Sequence, residues 1–457
     1  MNQPEVSIMV DLVIRNGYVI TMDAKGTRYQ NADVAIQNGA IASIGPNLNT
    51  HGKSEIDAKG NVVMPGFIDC HMHETLMRGL CEDLPLMRWL EEICFPKDRA
   101  ERPEHIRAAA YMNQLEMIRG GITTFIDIFR FPGEAAAVAE KSGLRAIFSP
   151  QVIDEPLGAG ETLESNLAFI REWKDRVPGR IFTWFGPHAP YSCTPITYRS
   201  MRDLAEKYDI GIHTHLAETK DEVDLFMNQY GKTPVEYLHD LGLLSPRLLA
   251  AHAIHLTDED IHLLADNGVA VAYNPSSNMK LADGVARVNE LMAAGVRVGL
   301  GTDSNLSNNN LDMFEEMRFG ATLQKLWRKD PESLPCELTL RMATNLAADC
   351  LGLGEQIGSL ENGKQADVII VDLHTPHMWP LLPEPRSNII EQLVYSANSG
   401  DVLTTIVNGK ILMQDRSVLT LDEAPVEKMV NDAAIDLMKL AGLEDRLDQI
   451  AERRCAL

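Results

Sequence analysis

The 457-residue sequence lacks paired cysteines, a basic surface and any long hydrophobic run. Its seven cysteines are scattered without a C-x-x-C pair, which argues against a disulfide framework and a cysteine zinc site and indicates a reducing compartment. A formal net charge of −23 argues against nucleic-acid binding, which needs clustered lysine and arginine. No stretch of about 18 apolar residues is present to cross a bilayer. The N-terminal segment has no basic region either, so we expect no signal peptide, no membrane association and a cytoplasmic location.

Both ends of the chain have the sequence pattern of short strands joined by tight turns. Asn-Gly between apolar runs is a strong signal for a β-hairpin. It occurs at Asn16-Gly17, Asn38-Gly39, Asn362-Gly363 and Asn408-Gly409. We therefore expect residues 1–65 and 363–457 to form one small β-sandwich together, and the tail over residues 423–457 to form a helix that packs on the outside of the protein.

The middle of the chain, residues 66–362, alternates β-rich apolar runs with amphipathic helical patterns. The runs are VVMPGFIDCHMH, GITTFIDIF, LRAIFSPQVI, RIFTWFGPHAP, IGIHTHLAE, LLAAHAIHL, GVAVAYNPSSN and VRVGLGTDS. Strands that alternate with helices pair in parallel, and eight such units fit a closed (β/α)8 TIM-like barrel. An open doubly wound sheet is the alternative, but no G-x-G-x-x-G follows the first strand. The expected class is thus α/β, a barrel with a small sandwich built from both chain ends.

Chemically capable side chains follow these runs where each run ends. They are His71 and His73 in the first run, His188 in the fourth, His213, His215 and Glu218 in the fifth, His252 and His255 in the sixth, and Asp303 in the eighth. In a (β/α)8 barrel the carboxyl ends of the strands face one mouth, where active sites lie. The pattern therefore predicts a functional site there, although two histidines at the end of a single strand, taken alone, could also be structural.

His71 and His73 are two residues apart, so on a strand they share a face, with Cα atoms about 6.6 Å apart. Two imidazoles so placed can bind one ion at metal–nitrogen distances of about 2.0–2.1 Å. A third histidine from the fifth strand and a carboxylate from the eighth would complete a set that suits Zn²⁺, with Fe²⁺ possible. His213 shares a face with His215 and could be that third ligand. The His-x-x-Glu spacing favours His215.

Several of these segments resemble the amidohydrolase superfamily. The segments MPGFIDCHMH, FGPHAPYSC, HTHLAET, AAHAIHL and GTDSNLSNNNLDMFEEMR match in order and spacing. More narrowly the chain resembles the 5′-methylthioadenosine/S-adenosylhomocysteine deaminase branch, which is close to triazine hydrolases and guanine deaminases. SNMKLADGVARV and GSLENGKQADVIIVD are typical of that branch, and the resemblance covers essentially the whole chain.

The resemblance implies a role for each matching residue. The metal ligands would be His71, His73, His215 and Asp303, and the general acid would be Glu218. His252 and Asp303 would orient or deprotonate the water. Glu82 would bind the ribose hydroxyls, and His188 would bind the purine edge. His255 is expected to be a packing or supporting residue. Superfamily members with two metals have a lysine late in strand four, which is absent from FGPHAPY. One Zn²⁺ per subunit is therefore expected.

The implied activity is hydrolytic deamination of adenosine-type nucleosides at the 6-amino group, with release of ammonia. The expected substrates are 5′-methylthioadenosine, S-adenosylhomocysteine, 5′-deoxyadenosine or adenosine. The alternatives are an aminohydrolase or chlorohydrolase acting on a triazine, guanine or pterin ring, and a scaffold without activity. Glu82 favours a nucleoside, because a free base has no ribose hydroxyls. The resemblance also implies a homo-oligomer, a dimer or tetramer, with a small molecule as its partner.

Two departures from the branch concern the far end of the substrate. Branch members that take S-adenosylhomocysteine usually have an arginine after strand three for the amino-acid carboxylate, where this chain has Ser149, Pro150 and Gln151. The nearest basic residue is Arg130, which we expect to be solvated. The loop over residues 304–310 reads SNLSNNN, where the branch commonly has Gly-Ala-Ala before Ser-Asn. A neutral 5′ substituent would not need the missing arginine.

Overall fold

The computed structural model describes residues 8–79, 84, 86–154, 160–445 and 448, with only the backbone of residues 8, 86 and 87. The strands, in chain order, are β1 (Ile8–Ile20), β2 (Arg28–Gln37), β3 (Ala40–Gly45), β4 (Thr50–Asp57), β5 (Val62–Pro65), β6 (Phe67–His73), β7 (Ile122–Asp127), β8 (Arg145–Phe148), β9 (Gln151–Val152), β10 (Ile181–Thr183), β11 (Gly186–Pro187), β12 (Ile212–Leu216), β13 (Leu248–His252), β14 (Ala270–Tyr273), β15 (Arg297–Leu300), β16 (Asp303–Ser304), β17 (Val368–Val371), β18 (Val402–Val407), β19 (Lys410–Gln414) and β20 (Ser417–Val418).

Helices separate the strands of the central region and close the chain. They are α1 (Leu86–Trp89), α2 (Phe95–Ala100), α3 (Pro103–Gly120), α4 (Pro132–Ser142), α5 (Leu163–Trp173), α6 (Pro195–Tyr208), α7 (Lys220–Tyr230), α8 (Pro234–Asp240), α9 (Asp258–Asp266), α10 (Pro275–Lys280), α11 (Val288–Ala293), α12 (Met313–Arg328), α13 (Cys336–Met342), α14 (Asn345–Cys350), α15 (Ile389–Tyr395) and α16 (Glu423–Leu440). A π-helical turn, Leu90–Cys94, joins α1 to α2, and 3-10 turns lie at Pro376–Met378 and Ser399–Asp401.

Both ends of the chain contribute to one nine-stranded sheet, in the order β20-β19-β18-β17-β5-β1-β2-β3, with β4 also paired to β1. The junction between the two ends is the antiparallel pair β5–β17, in which Val62 lies opposite Val371. Apolar side chains from both ends, among them Ile14, Val34 and Val368, share one buried cluster. The prediction that the two β segments fold together is thereby confirmed.

Two of the Asn-Gly pairs form the expected hairpin turns. Asn38 and Gly39 join β2 to β3 with φ values of 51° and 78°, and Asn408 and Gly409 join β18 to β19 with 50° and 72°. Positive φ at both central positions is what a type I′ hairpin turn requires. Gly363 also turns the chain, but its N–H donates to the Ile41 carbonyl (2.8 Å) beside β3.

The hairpin predicted at Asn16-Gly17 is wrong, because β1 continues through this pair. Residues before it pair in parallel with β4, and Tyr18 and Val19 after it pair with β5. A Cβ on Gly17 would lie 2.5 Å from the Val63 Cγ2 atom, so the glycine permits the close approach of β5. Asn16, with φ of 54°, lets the strand bend as it changes partner.

The eight apolar runs of the middle region form a closed parallel barrel. Parallel pairs join β6, β7, β8 and β10 on one side and β12, β13, β14 and β15 on the other. A parallel bridge between Phe185 and Ile212 connects the fourth unit to the fifth. β16 pairs with β6, Asp303 opposite Met72, and closes the ring. The predicted fold class, a (β/α)8 barrel with a small β domain from both chain ends, is therefore confirmed.

Threonines begin many of the helices that follow these strands. Each accepts a hydrogen bond from the backbone N–H three residues on, which satisfies one of the free donors of the first turn. The caps are Thr162 (α5), Thr194 (α6), Thr219 (α7), Thr233 (α8) and Thr257 (α9). At the end of the chain, α16 packs on α3, with Leu437 in a buried cluster with Ala108 and Ala109. None of the helices among the described residues is long and apolar enough to span a membrane.

A buried ion pair fastens the barrel to the nine-stranded sheet. The Arg145 guanidinium of β8 donates from Nε and Nη2 to Asp367 (2.8 and 2.9 Å), and the two side chains are 1% and 3% exposed. Asp367 directly precedes β17 and also accepts from the Asn408 N–H (2.7 Å). One carboxylate thus joins the barrel to a hairpin turn of the other domain.

We expect Asp367→Ala to lower the apparent free energy of unfolding by about 3–5 kcal/mol, because it leaves a buried guanidinium without its partner. Urea denaturation followed by circular dichroism measures the change. The matched control is Asp203→Ala at the exposed pair with Arg202, where the loss should be about 1 kcal/mol or less. Equal losses in the two variants would contradict this role of the buried pair.

Candidate metal centre

Four side chains from three strands converge at the carboxyl mouth of the barrel. Asp303 Oδ1 lies 3.4 Å from His71 Nε2 and 3.3 Å from His73 Nε2. His215 Nε2 lies 3.3 Å from His73 Nε2. All four residues are buried. The structure therefore brings the predicted metal ligands together, with one donor atom of each facing a common centre.

Backbone carbonyls fix which ring nitrogen carries the proton in two of these histidines. His73 Nδ1 donates to the Ile128 carbonyl (2.7 Å), and His215 Nδ1 donates to the His188 carbonyl (2.7 Å). A carbonyl only accepts, so the proton of each neutral ring must be on Nδ1. Burial lowers the pKa of His215 well below its ordinary value, which keeps that ring neutral. The Nε2 atoms then present lone pairs to each other and to the centre.

His213, the alternative ligand from the fifth strand, lies behind His71. Its Nε2 is 3.0 Å from His71 Nδ1, and its Nδ1 is 3.3 Å from the Ser149 hydroxyl oxygen. Ser149 in turn donates to the Asp127 carbonyl (2.7 Å). This chain of contacts orients the His71 ring so that its buried Nε2 points to the centre. His215 and not His213 therefore lies with the other predicted ligands.

Asp303 is held by hydroxyl groups from α10 and from the loop after β16. Ser277 and Ser307 donate to Oδ2 at 2.5 and 3.0 Å, and the Ser304 N–H donates to Oδ1 at 2.7 Å. Burial alone would raise the pKa of Asp303, but the neighbouring imidazoles outweigh it and hold that pKa well below its ordinary value. The sequence analysis missed both serines. They could have been found by their position in the sequence, because they follow the seventh and eighth apolar runs as the other site residues follow theirs.

This donor set fits a divalent cation such as Zn²⁺. Three neutral imidazole nitrogens and one carboxylate oxygen are the ligand types that zinc binds, and a protein with three or four of them can leave room for water. Lone pairs that face each other at 3.3 Å, as on His73 and His215, repel unless a cation lies between them. Two overlapping triads, His71 with His215 and His252, and His71 with His73 and Asp303, have donor atoms within 4.8 Å of one another.

His252 lies beside the four predicted ligands as a hydrogen-bond donor. The amide groups of Asn278 and Asn274 donate to its Nδ1 at 2.8 and 3.3 Å, so its proton is on Nε2. That Nε2 lies 3.7 Å from Glu218 Oε1. Burial lowers the pKa of His252 to about 3, so the ring is neutral. The two asparagines, again just after the seventh strand, were not singled out from the sequence.

Glu218 lies on the loop after β12, where a second carboxylate holds it in place. The Glu222 carboxylate accepts from the N–H groups of Ala217 and Glu218 at 3.1 and 3.0 Å. Burial raises the pKa of Glu218 well above its ordinary value, and the charges of Asp283 and Asp303 add to this effect. Glu218 is therefore suited to hold a proton and to donate it.

A cleft opens from this centre to the surface. Residues 89–98, which we call the roof, cover it from α1, the π-helical turn and α2, and Phe129, Gln151 and Ile153 line it from the barrel. Helical pattern alone gave no signal that this segment covers a site.

The remaining predicted site residues fall in three different places. His188 lines the cleft, with its Nδ1 2.8 Å from the Ser192 hydroxyl. His255 points elsewhere and donates from Nε2 to the Asp283 carbonyl (2.7 Å), as expected for a supporting residue. Glu82 lies outside the described residues.

Comparison with known proteins places the chain among metal-dependent hydrolases. The model of the amidohydrolase family matches residues 62–412. The chain is 43% identical to a 5-methylthioadenosine/S-adenosylhomocysteine deaminase of Pelotomaculum thermopropionicum, over 95% of this chain and 100% of that protein. It is 42% identical to a 5′-deoxyadenosine deaminase of Methanosarcina mazei, over 94% and 99%. Its fold is similar to that of a zinc-bound adenosine deaminase from Xanthomonas campestris, with a TM-score of 0.90, 34% identity and coverage of 95% and 100%.

The geometry predicts different effects for the two histidines of the fifth strand. We expect His215→Ala to lose the metal, whereas His213→Asn should keep it with about 10–100-fold weaker affinity, because His213 only orients His71. Competition with a chelator and zinc analysis of the purified variants measure both. His255→Asn is the control and should bind zinc normally. Loss of zinc in the His213 variant together with normal binding in the His215 variant would reverse the assignment.

Proposed function

Because the chain belongs to the amidohydrolase family, we propose that it is a metal-dependent deaminase of adenosine-type nucleosides. The reaction replaces the 6-amino group by oxygen and releases ammonia. The observation that best supports it is the cleft in which His73, His215 and Asp303 face Glu218 and His252. The similarity to deaminases of 5′-methylthioadenosine, S-adenosylhomocysteine and 5′-deoxyadenosine, over nearly their whole lengths, supports the same substrate class.

One divalent ion is proposed per subunit, held by His71, His73, His215 and Asp303. The zinc in the similar adenosine deaminase structure supports Zn²⁺, and the donor set would also accept Fe²⁺. When bound, such an ion acts as a Lewis acid that makes a water molecule nucleophilic at neutral pH. The homo-oligomeric state and the cytoplasmic location stay predictions from the sequence.

Three side chains are proposed to handle the protons of the reaction. Asp303 Oδ1 accepts a proton from the attacking water, and His252 orients that water through its Nε2–H. Glu218 protonates the ring nitrogen next to the amino-bearing carbon, which makes that carbon electrophilic. The water oxygen then bonds to the carbon. Glu218 takes the second water proton from the new hydroxyl group and passes it to the amino group, which leaves as ammonia as the carbon–nitrogen bond breaks and the carbonyl forms. The proton held by Asp303 returns to Glu218.

Two further residues are proposed to position the nucleoside. His188 lies beside His215, their ring centroids 4.8 Å apart, where a purine held over the metal would meet it. Burial lowers the pKa of His188 to about 3, so it contacts the purine edge as a neutral imidazole. For Glu82, the proposed contact is with the ribose hydroxyls.

A comparison of substrates tests the proposed function. The zinc-loaded enzyme should release ammonia from 5′-methylthioadenosine, 5′-deoxyadenosine or adenosine, and should be inactive on guanine and melamine. Ammonia release and the change in purine absorbance both report the reaction. Turnover of guanine or melamine with no turnover of any nucleoside would contradict the proposal.

We expect Glu218→Gln to lower kcat about 10²–10⁴-fold while zinc stays bound, because a positioned proton donor is lost without loss of a ligand. Glu222→Gln is the matched control. It keeps one carbonyl acceptor for the backbone of the loop, so the expected loss is about tenfold or less. Near-normal turnover by the Glu218 variant would show that another group supplies the proton.

A further inference from the structure

We propose that the cleft selects nucleosides whose 5′ substituent carries no carboxylate, and that Asp98 enforces this preference through its ion pair with Lys97. The inference rests on the proposed function and narrows its substrate class. It predicts efficient turnover of 5′-deoxyadenosine and 5′-methylthioadenosine and poor turnover of S-adenosylhomocysteine. The argument concerns the part of the cleft away from the metal centre.

The 5′ end of a bound nucleoside has one region of the cleft available to it. The amino-bearing carbon must reach His73, His215 and Asp303 at the inner end. The ribose and its 5′ substituent then occupy the remainder, between the roof and the side chains of Phe129, Gln151 and Ile153.

Much of this outer region is apolar. The roof contributes Trp89, Leu90 and Phe95, and the barrel contributes Phe129 and Ile153. Such walls favour a hydrogen, a methyl or a methylthio group, because burying apolar surface is favourable. A charged group that enters the same space loses its water and needs a partner of opposite charge.

Lys97 is the one lysine or arginine among the described residues that line the cleft, and its donors are already used. Its ammonium lies 2.8 Å from each of three oxygen atoms, on Thr75, Asp98 and Glu101. An ammonium has three N–H donors, so none is left for a ligand. Burial alone would lower the pKa of Lys97, but Asp98 and Glu101 outweigh it and raise that pKa above its ordinary value.

The charge around Lys97 is unfavourable to a second anion. Asp98 lines the cleft, and its negative charge alone balances the positive charge of the Lys97 ammonium. Glu101 adds a second carboxyl group beside the same ammonium. A substrate carboxylate would therefore meet Asp98 as a like charge while the donors of Lys97 are occupied, and like charges brought together destabilise a complex.

Arg130 is another cation near this group, because its charge acts on the Glu101 carboxyl group. Arg130 does not line the cleft among the described residues. Its guanidinium lies 5.0 Å from the centre of the Phe131 ring, and its Nε and Nη1 atoms are buried without a hydrogen-bond partner among the described residues, not solvated as the sequence suggested.

Three thioether nucleosides test the proposal on the unmodified holoenzyme. They are 5′-methylthioadenosine, S-adenosylhomocysteine and its decarboxylated analogue, which keeps the chain and the ammonium group. We expect kcat/KM for S-adenosylhomocysteine to be about tenfold or more below that of both others, as for one unpaired charge. Equal values for S-adenosylhomocysteine and its decarboxylated analogue would overturn the inference. No turnover of any nucleoside would instead overturn the proposed function.

Variants of Asp98 test its part in the preference. Asp98→Asn removes the like charge and leaves the Lys97 ammonium less neutralised, so the ratio of kcat/KM for S-adenosylhomocysteine to that for its decarboxylated analogue should rise about fivefold. Asp98→Glu keeps the charge and should keep the ratio. The matched control for net charge is Asp203→Asn on the exposed face of α6. An unchanged ratio in Asp98→Asn would remove Asp98 from the proposal.

The Arg130→Gln variant tests whether Arg130 binds the substrate carboxylate. If the cleft holds no carboxylate, this substitution should affect all three substrates alike. A selective loss of S-adenosylhomocysteine turnover would show that Arg130 receives the carboxylate and would overturn the inference. Together with the substrate ratio of the unmodified enzyme, this variant decides the question even if Asp98→Asn does not fold.

Discussion

Two backbone carbonyls, those of Ile128 and His188, determine what the mouth of the barrel can bind. Each accepts the Nδ1 proton of a histidine, and the Nε2 lone pairs of His73 and His215 must then face one another. A protonated Nε2 could not bind a cation. The carbonyls follow β7 and β11, the strands next to the histidine-bearing strands, so barrel closure itself selects the tautomers. Metal chemistry at this site is therefore a consequence of strand order.

The same mouth holds two residues in a strained backbone conformation. His252 and Asp303 have φ values of 71° and 61°, in the left-handed region that side chains other than glycine seldom adopt. Each such residue costs about 1–3 kcal/mol and persists only where its surroundings fix it. Asn278 fixes His252, and Ser277 and Ser307 fix Asp303. The short helix after the seventh strand, α10, thus supports both catalytic candidates, although it provides none of the four proposed ligands.

The sequence could predict the barrel and the ligand cluster because both depend on local patterns. Barrel strands are buried on both faces and read as apolar runs, and their polar residues fall where the runs end. The spacing to Glu218 favoured His215 over His213 but could not decide between them, since both lie on one face and the difference comes from their neighbours, His71 and the His188 carbonyl. The hairpin predicted at Asn16-Gly17 was wrong for a similar reason, because pairing with β5, which is distant in sequence, determines the path of the strand.

Lys97 was beyond sequence reasoning, because a lysine in an amphipathic helix is ordinarily solvated, and it also joins the roof to the metal centre. It donates to the Thr75 hydroxyl, two residues after His73. The Thr75 carbonyl accepts from Asn305, two residues after Asp303 (2.8 Å). One threonine therefore connects the roof to two of the three strands that bear proposed ligands, β6 and β16. A change of roof charge that selects among substrates must also act on the geometry of the metal centre, so specificity and catalysis cannot vary independently in this cleft.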